Sequence, residues 1–272
     1  MNRIFKNGSR TKIKPTIILL VQALFIFSNF ALAQNDTITS NSIVWHKVES
    51  LTPTIVTLPN SYDPLHEHTL IIALHGFGST AENFQRFSQP FTDAGFIYAT
   101  PEAPYSYLRR DGTIGYEWFL YDISSYIMLE RPASEIEKEA MRITTERQMG
   151  QVISDLKEKY NVGKIFFMGM SQGGIITYLT GIHHYDKIDG MIIFGSVVDK
   201  DWTGTDNIKM GNGVRTLVIQ GINDEAVPLK FAEQSRDLLI DNDYNVSFKK
   251  FNGGHVVPEN LLPFVIEWIN QE

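Results

Sequence analysis

The chain is predicted to fold as an α/β domain, with a mostly parallel twisted sheet of about eight strands covered by helices on both faces. Three observations lead there. Short apolar runs alternate with helical patterns from residue 69 onward, the arrangement of a parallel sheet with crossover helices. The apolar runs are continuous in their centres, as strands buried on both faces require. No internal repeat or linker interrupts 34–272, so one domain is expected there. The composition agrees: of 272 residues 43% are hydrophobic and 20% charged, which excludes a disordered or low-complexity chain. The absence of cysteine excludes a disulfide scaffold, a Cys-ligated metal, a cysteine nucleophile and a Cys-linked lipid anchor.

The first segment reads as a leader. Arg3, Lys6, Arg10, Lys12 and Lys14 precede an uncharged apolar run from Thr16 to Phe30, and Ala31-Leu32-Ala33 follows. A basic start, an apolar middle and an A-x-A end describe a secretory signal peptide over 1–33, cut after Ala33. The run is short for a membrane span and contains Gln22, Ser28 and Asn29, so no stable membrane anchor is expected. Cleavage leaves 239 residues and, with five cations lost, moves the formal charge from −7 to −12. An exported, acidic protein follows, periplasmic or extracellular. Its surface disfavours nucleic acid and anionic membranes as partners.

The elements follow in order. Ser42–Glu49 and Thr54–Leu58 read as a starting pair of antiparallel strands. Thr69–Leu74, Phe96–Thr100, Lys164–Gly169, Gly190–Gly195, Thr216–Gln220 and Val246–Phe251 are the apolar strands. Ser134–Tyr160 is the clearest helix: Ser134 and Glu137 make a capping box, Met149, Val152, Ile153, Leu156 and Tyr160 share a face, and Asn161 and Gly163 stop it. Further helices are expected over Ala81–Ala94, Gln172–Ile182, Leu229–Leu239 and Glu259–Asn270.

In such a sheet ligands bind beyond the carboxyl ends of the strands, so chemistry is sought in the residues that follow them. After Lys164–Gly169 comes Gly169-Met170-Ser171-Gln172-Gly173-Gly174, a G-x-S-x-G pattern between a buried strand and a helix. Such a turn lifts the serine hydroxyl clear of the sheet, and its flanking glycines avoid side chains that would clash. His75-Gly76-Phe77-Gly78-Ser79 follows another strand; the backbone N–H groups of Phe77 and Gln172 are the expected pair of oxyanion donors. Gly221-Ile222-Asn223-Asp224-Glu225-Ala226-Val227-Pro228 and Asn252-Gly253-Gly254-His255 follow two more. Ser171, Asp224 and His255 thus arrive in the order of an α/β-hydrolase triad, each just past a strand. Asp199 and Asp201 are the rival acids. Gly76-x-Gly78-x-x-Ala81, with Glu102 about 20 residues on, also matches a dinucleotide fingerprint, but nothing else in the chain supports it. His66, His68, His183 and His184 read as surface residues rather than metal ligands.

These four segments resemble the phospholipase/carboxylesterase family of α/β-hydrolases, which includes acyl-protein thioesterases and bacterial carboxylesterases. Trp118-Phe119, with Asp122 nearby, is similar to a W-F-D segment of that family. The resemblance runs from about Thr69 to the C-terminus. It implies Ser171 as nucleophile, Asp224 as acid, His255 as base, Phe77 and Gln172 as backbone donors, and no metal or organic cofactor. The leader, the N-terminal strand pair and a long aromatic stretch over Tyr105–Pro132 depart from the family's minimal form. That stretch holds Tyr116, Trp118, Phe119 and Tyr121, which are expected to line the substrate side. The expected function is a serine carboxylesterase acting on small short-to-medium acyl or aryl esters. A serine peptidase of the prolyl-oligopeptidase type and a non-catalytic binding module on the same scaffold are the alternatives.

Overall fold

Residues 51–120, 131–203 and 205–271 are described in the computed structural model. Seven strands make the central sheet: β1 (Thr54–Thr57), β2 (His68–Leu74), β3 (Ile97–Pro101), β6 (Val162–Met170), β7 (Gly190–Phe194), β8 (Arg215–Gly221) and β9 (Val246–Phe251). Their spatial order is β1-β3-β2-β6-β7-β8-β9, parallel throughout except for β1, which runs antiparallel along β3 at the edge. This is an α/β-hydrolase sheet, with seven strands among the described residues against about eight expected. The strand expected over Ser42–Glu49, the leader and its cleavage point, and Tyr121 all lie outside the described residues.

The apolar runs form central strands because both faces are covered. Leu70–Leu74 and Phe166–Met168 are wholly buried, and alternate residues enter opposite layers. Ile71, Ala73, Phe166, Met168, Ile192, Phe194, Leu217 and Ile219 join one core with Phe91 of α2 (Ser88–Asp93) and Val265 and Trp268 of α7 (Leu262–Asn270). Between β5 (Ile114–Glu117) and β6 runs α3 (Glu135–Lys159); α4 (Gln172–His183) links β6 to β7, the short α5 (Lys200–Thr203) follows β7, and α6 (Leu229–Ile240) links β8 to β9.

The capping box forms as expected: the Glu137 amide donates to the Ser134 hydroxyl at 3.3 Å, and the Ser134 amide to the Glu137 carboxylate at 2.7 Å. The C-terminal stop is different. Tyr160 turns directly to an extended conformation and β6 begins at Val162, so Gly163 belongs to the strand rather than to a cap. The helix expected over Ala81–Ala94 is broken into α1 (Ala81–Phe84), a 3₁₀ turn over Gln85–Phe87, and α2. Pro90 has no N–H to donate and is accommodated only in the first turn of a new helix.

One hairpin lies within the aromatic stretch, where no strand is expected. β4 (Tyr105–Leu108) pairs with β5 through a turn in which the Arg109 amide donates to Thr113 O and Gly112 takes φ 83°. Asp111-Gly112 between alternating residues was its sequence signal. Among the described residues no helix is long and apolar enough to cross a membrane.

Candidate active site

Ser171 stands between β6 and α4 with φ 54° and ψ −120°, a conformation that L-residues rarely adopt. It persists because its surroundings leave no room for relaxation. The Ser171 amide donates to Phe194 O at 3.0 Å, and its carbonyl accepts from Gly174 N at 2.9 Å and from the Ser196 hydroxyl at 2.7 Å. A Cβ on Gly169 would lie 2.2 Å from Gly173 O, and one on Gly173 would lie 2.3 Å from Leu74 O. The glycines flanking the serine are therefore steric requirements of the turn.

Asp224 and His255 are brought together from the ends of β8 and β9. His255 Nδ1 lies 2.8 Å from Asp224 Oδ2, with the Asp224 side chain fully buried and that of His255 25% exposed. Three further donors hold the carboxylate: the amides of Ala226 and Val227 on Oδ1, at 3.0 and 2.8 Å, and Gln220 Nε2 on Oδ2 at 3.2 Å. Asp199 and Asp201 are not on this histidine; Asp199 Oδ1 instead accepts from the Asp201 amide at 3.0 Å. Gly195, at φ 51°, closes the pair from β7: a Cβ there would sit 3.0 Å from both Asp224 Oδ2 and His255 Nδ1.

The two expected oxyanion donors belong to loops that are tied to one another. Gln172 begins α4 and is buried; its Oε1 accepts from the Trp118 amide at 2.9 Å and its Nε2 donates to Phe119 O at 2.7 Å. Trp118 Nε1 in turn donates to His75 O at 2.8 Å, at the base of the loop that carries Phe77. The hairpin holds the far side of that loop. The Gly78 amide donates to Tyr116 O, the Tyr116 amide to Ser79 O, both at 2.8 Å, and Arg109 Nε to Gly78 O at 2.6 Å.

The comparisons with known proteins agree with this fold. The model of the phospholipase/carboxylesterase family matches residues 62–272. The chain belongs to that family. An acyl-protein thioesterase 1 from Gibberella zeae is 26% identical over 196 residues, 69% of this chain and 80% of the relative. The crystal structure of esterase PE8 superposes with a TM-score of 0.64 at 21% identity, covering 80% of this chain and 97% of that one. The Bacillus cereus carboxylesterase gives a TM-score of 0.60 at 16% identity, over 80% and 93% of the two chains. The chain is thus an enzyme, a hydrolase of the ester-cleaving serine kind.

In this family member the cleft beside Ser171 is not lined by Tyr116, Trp118 or Phe119. A cleft of about 610 Å³ opens beside Ser171, walled by Ile175, Val198, Asp199, Val227, Phe231 and Leu238 among others. Its walls are the segments after β7 and β8 and the face of α6. Trp118 and Phe119, expected there, are fully buried instead. Phe119 stacks on Trp202 at 3.9 Å between ring centroids, and Thr145 Oγ1 donates to Trp118 O at 2.9 Å. They are tied to Gln172 and His75, and the buried pair gains more from the core than from water. Tyr116 is half-buried and lies on the hairpin against Ser79, not along the cleft. His183 and His184, read as surface residues, are half-buried and spend ring nitrogens on the carbonyls of Thr203 and Glu146.

Burial raises the Asp199 carboxyl above the ordinary carboxylate range, and Asp201 adds to the effect; the Asp201 and Trp202 amides and Lys138 oppose it. The residues that sequence reasoning passed over are Gly195, Ser196, Gln220 and the hairpin. Gln220 carried a usable signal, a polar residue ending an otherwise apolar strand at its carboxyl end.

Proposed function

We propose that the protein hydrolyses small carboxylic esters through Ser171, His255 and Asp224, with an acyl-enzyme intermediate. The observation that carries the reading is the buried Asp224 carboxylate 2.8 Å from His255 Nδ1, at the same end of the sheet as the strained Ser171 turn. Asp224 orients the imidazole so that Nε2 can take the Ser171 proton as Oγ attacks the ester carbonyl. The Phe77 and Gln172 amides receive the oxyanion. Collapse returns the proton to the departing alcohol, and a water activated by His255 then releases the acid. The 610 Å³ cleft is large enough for a short-to-medium acyl or aryl group. The reading includes export after cleavage behind Ala33.

A panel of nitrophenyl esters, a thioester and a dipeptidyl amide tests the reaction class. Hydrolysis of the esters is expected, with a fluorophosphonate labelling Ser171 and no other residue. Asp224→Asn should lower kcat by about 10⁴-fold while the fold persists, and Asp199→Asn should not approach that loss. An unlabelled Ser171 in folded protein would overturn the proposal; turnover of the amide alone would favour a peptidase. N-terminal sequencing of protein recovered outside the cytoplasm tests the leader, with Gln34 expected first.

A further inference from the structure

Glu102 lies just past β3, remote in sequence from every residue of the proposed triad, yet its carboxylate is engaged in the oxyanion loop. Its Oε1 lies 2.8 Å from His75 Nε2 and accepts the Ala81 amide at 3.0 Å. His75 is the last residue before the loop and Ala81 the first of α1, so one oxygen atom meets both ends of the segment that carries Phe77. The other ring nitrogen of His75 lies 2.8 Å from Gly76 O, which fixes the ring against the loop's own backbone. His75 is wholly buried and the Glu102 side chain only 12% exposed. The pin is itself anchored. The Glu102 amide donates to Pro53 O at 2.9 Å, and Gln148 Nε2 donates to Glu102 O at 2.9 Å. No step of the hydrolysis uses either side chain.

We infer that Glu102 is a positioning residue of the oxyanion hole, holding the Phe77 amide in place through His75 and Ala81. The inference rests on the ester-hydrolase reading for its effect on rate, but not for its effect on the loop. A donor aimed at a developing oxyanion acts through its preorganisation; a loop free to swing loses that without losing substrate affinity. The carboxylate suits the task because it accepts the Ala81 amide and lies against the His75 ring in a site shielded from water, where hydrogen bonds to a charged acceptor are strong.

The test compares wild type with Glu102→Ala and Glu102→Gln. The alanine variant is expected to lose about 10- to 100-fold in kcat with KM within about twofold, in line with a misplaced oxyanion donor. The glutamine variant keeps an acceptor oxygen for the Ala81 amide and should recover at least half of that loss on a logarithmic scale. A trifluoromethyl ketone adds a tetrahedral oxyanion on Ser171, the hydroxyl proton passing to His255. Its affinity should weaken by the same factor as kcat/KM. Unchanged kcat and ketone affinity per folded molecule in Glu102→Ala, with only a lower Tm, would overturn the inference. Amide hydrogen exchange separates it from the parent reading: exchange over 76–81 should quicken in Glu102→Ala. Quickened exchange in a protein inert to esters and ketone would sink the esterase reading and leave the pin standing. Unchanged exchange would remove the pin.

Discussion

At the scale of the residue, Asp224 shows how a side chain is committed to one geometry. Its two oxygens meet four donors, from Gln220, Ala226, Val227 and His255. Gln220 holds Oδ2 from within β8 while also donating to Val227 O at 2.8 Å. Gln220→Leu should therefore lower kcat by about tenfold, the equivalent of about 1.4 kcal/mol, with KM little changed. Asp199 is the opposite case. Its carboxyl is raised by burial, so the folded state holds its proton more readily than the unfolded chain does. Stability is then lost as pH rises from the ordinary carboxylate value through the raised one, and the charged form carries the full cost at neutral pH. Asp199→Asn should raise Tm at pH 7, with the gap to wild type closing as the pH is lowered into the carboxylate range. Calorimetry across that range decides it.

At the scale of the element, the β4–β5 hairpin and the Trp118-Phe119 pair act as supports. Gly115 is where the hairpin meets the loop that carries Phe77, the proposed oxyanion loop, and a Cβ there would fall 2.1 Å from Gly78 O. Gly115→Ala should push that loop away, costing about 1–3 kcal/mol of stability and a larger share of kcat than of substrate affinity. Phe119→Ala should cost about 3–5 kcal/mol, as removal of a buried ring does, with KM of the folded fraction unaltered. A cleft wall would behave the other way, changing KM at constant Tm. Sequence alone does not place Trp118 and Phe119, because an aromatic cluster reads the same whether it faces a ligand or the core. Its partners, Trp202 and Gln172, lie 83 and 53 residues away from Phe119 and share no local pattern with it.

At the scale of the whole molecule, six parallel strands deliver their carboxyl ends to one edge, so residues from 77 to 255 come together there. The cleft beside Ser171 depends on the same arrangement, with walls from the β7 and β8 ends and from α6. Narrowing it with Leu238→Trp should shift ester preference toward shorter acyl or smaller alcohol groups, seen as a fall in kcat/KM that grows with substrate length. The sequence by itself determined the six parallel strands of the central sheet, the long capped helix, and the placing of Ser171, His255 and their candidate acids just past strand ends. Hydrophobic continuity, capping chemistry and the glycine needs of a sharp turn are all local, and local demands are written in consecutive residues. Only the tertiary structure decided that His255 takes Asp224 rather than Asp199, that Trp118 and Phe119 are buried, and that Glu102 meets both ends of the loop that carries Phe77. Each of those depends on which distant segments pack against one another, and burial and hydrogen-bond partners are fixed by that packing rather than by the residue's own neighbours.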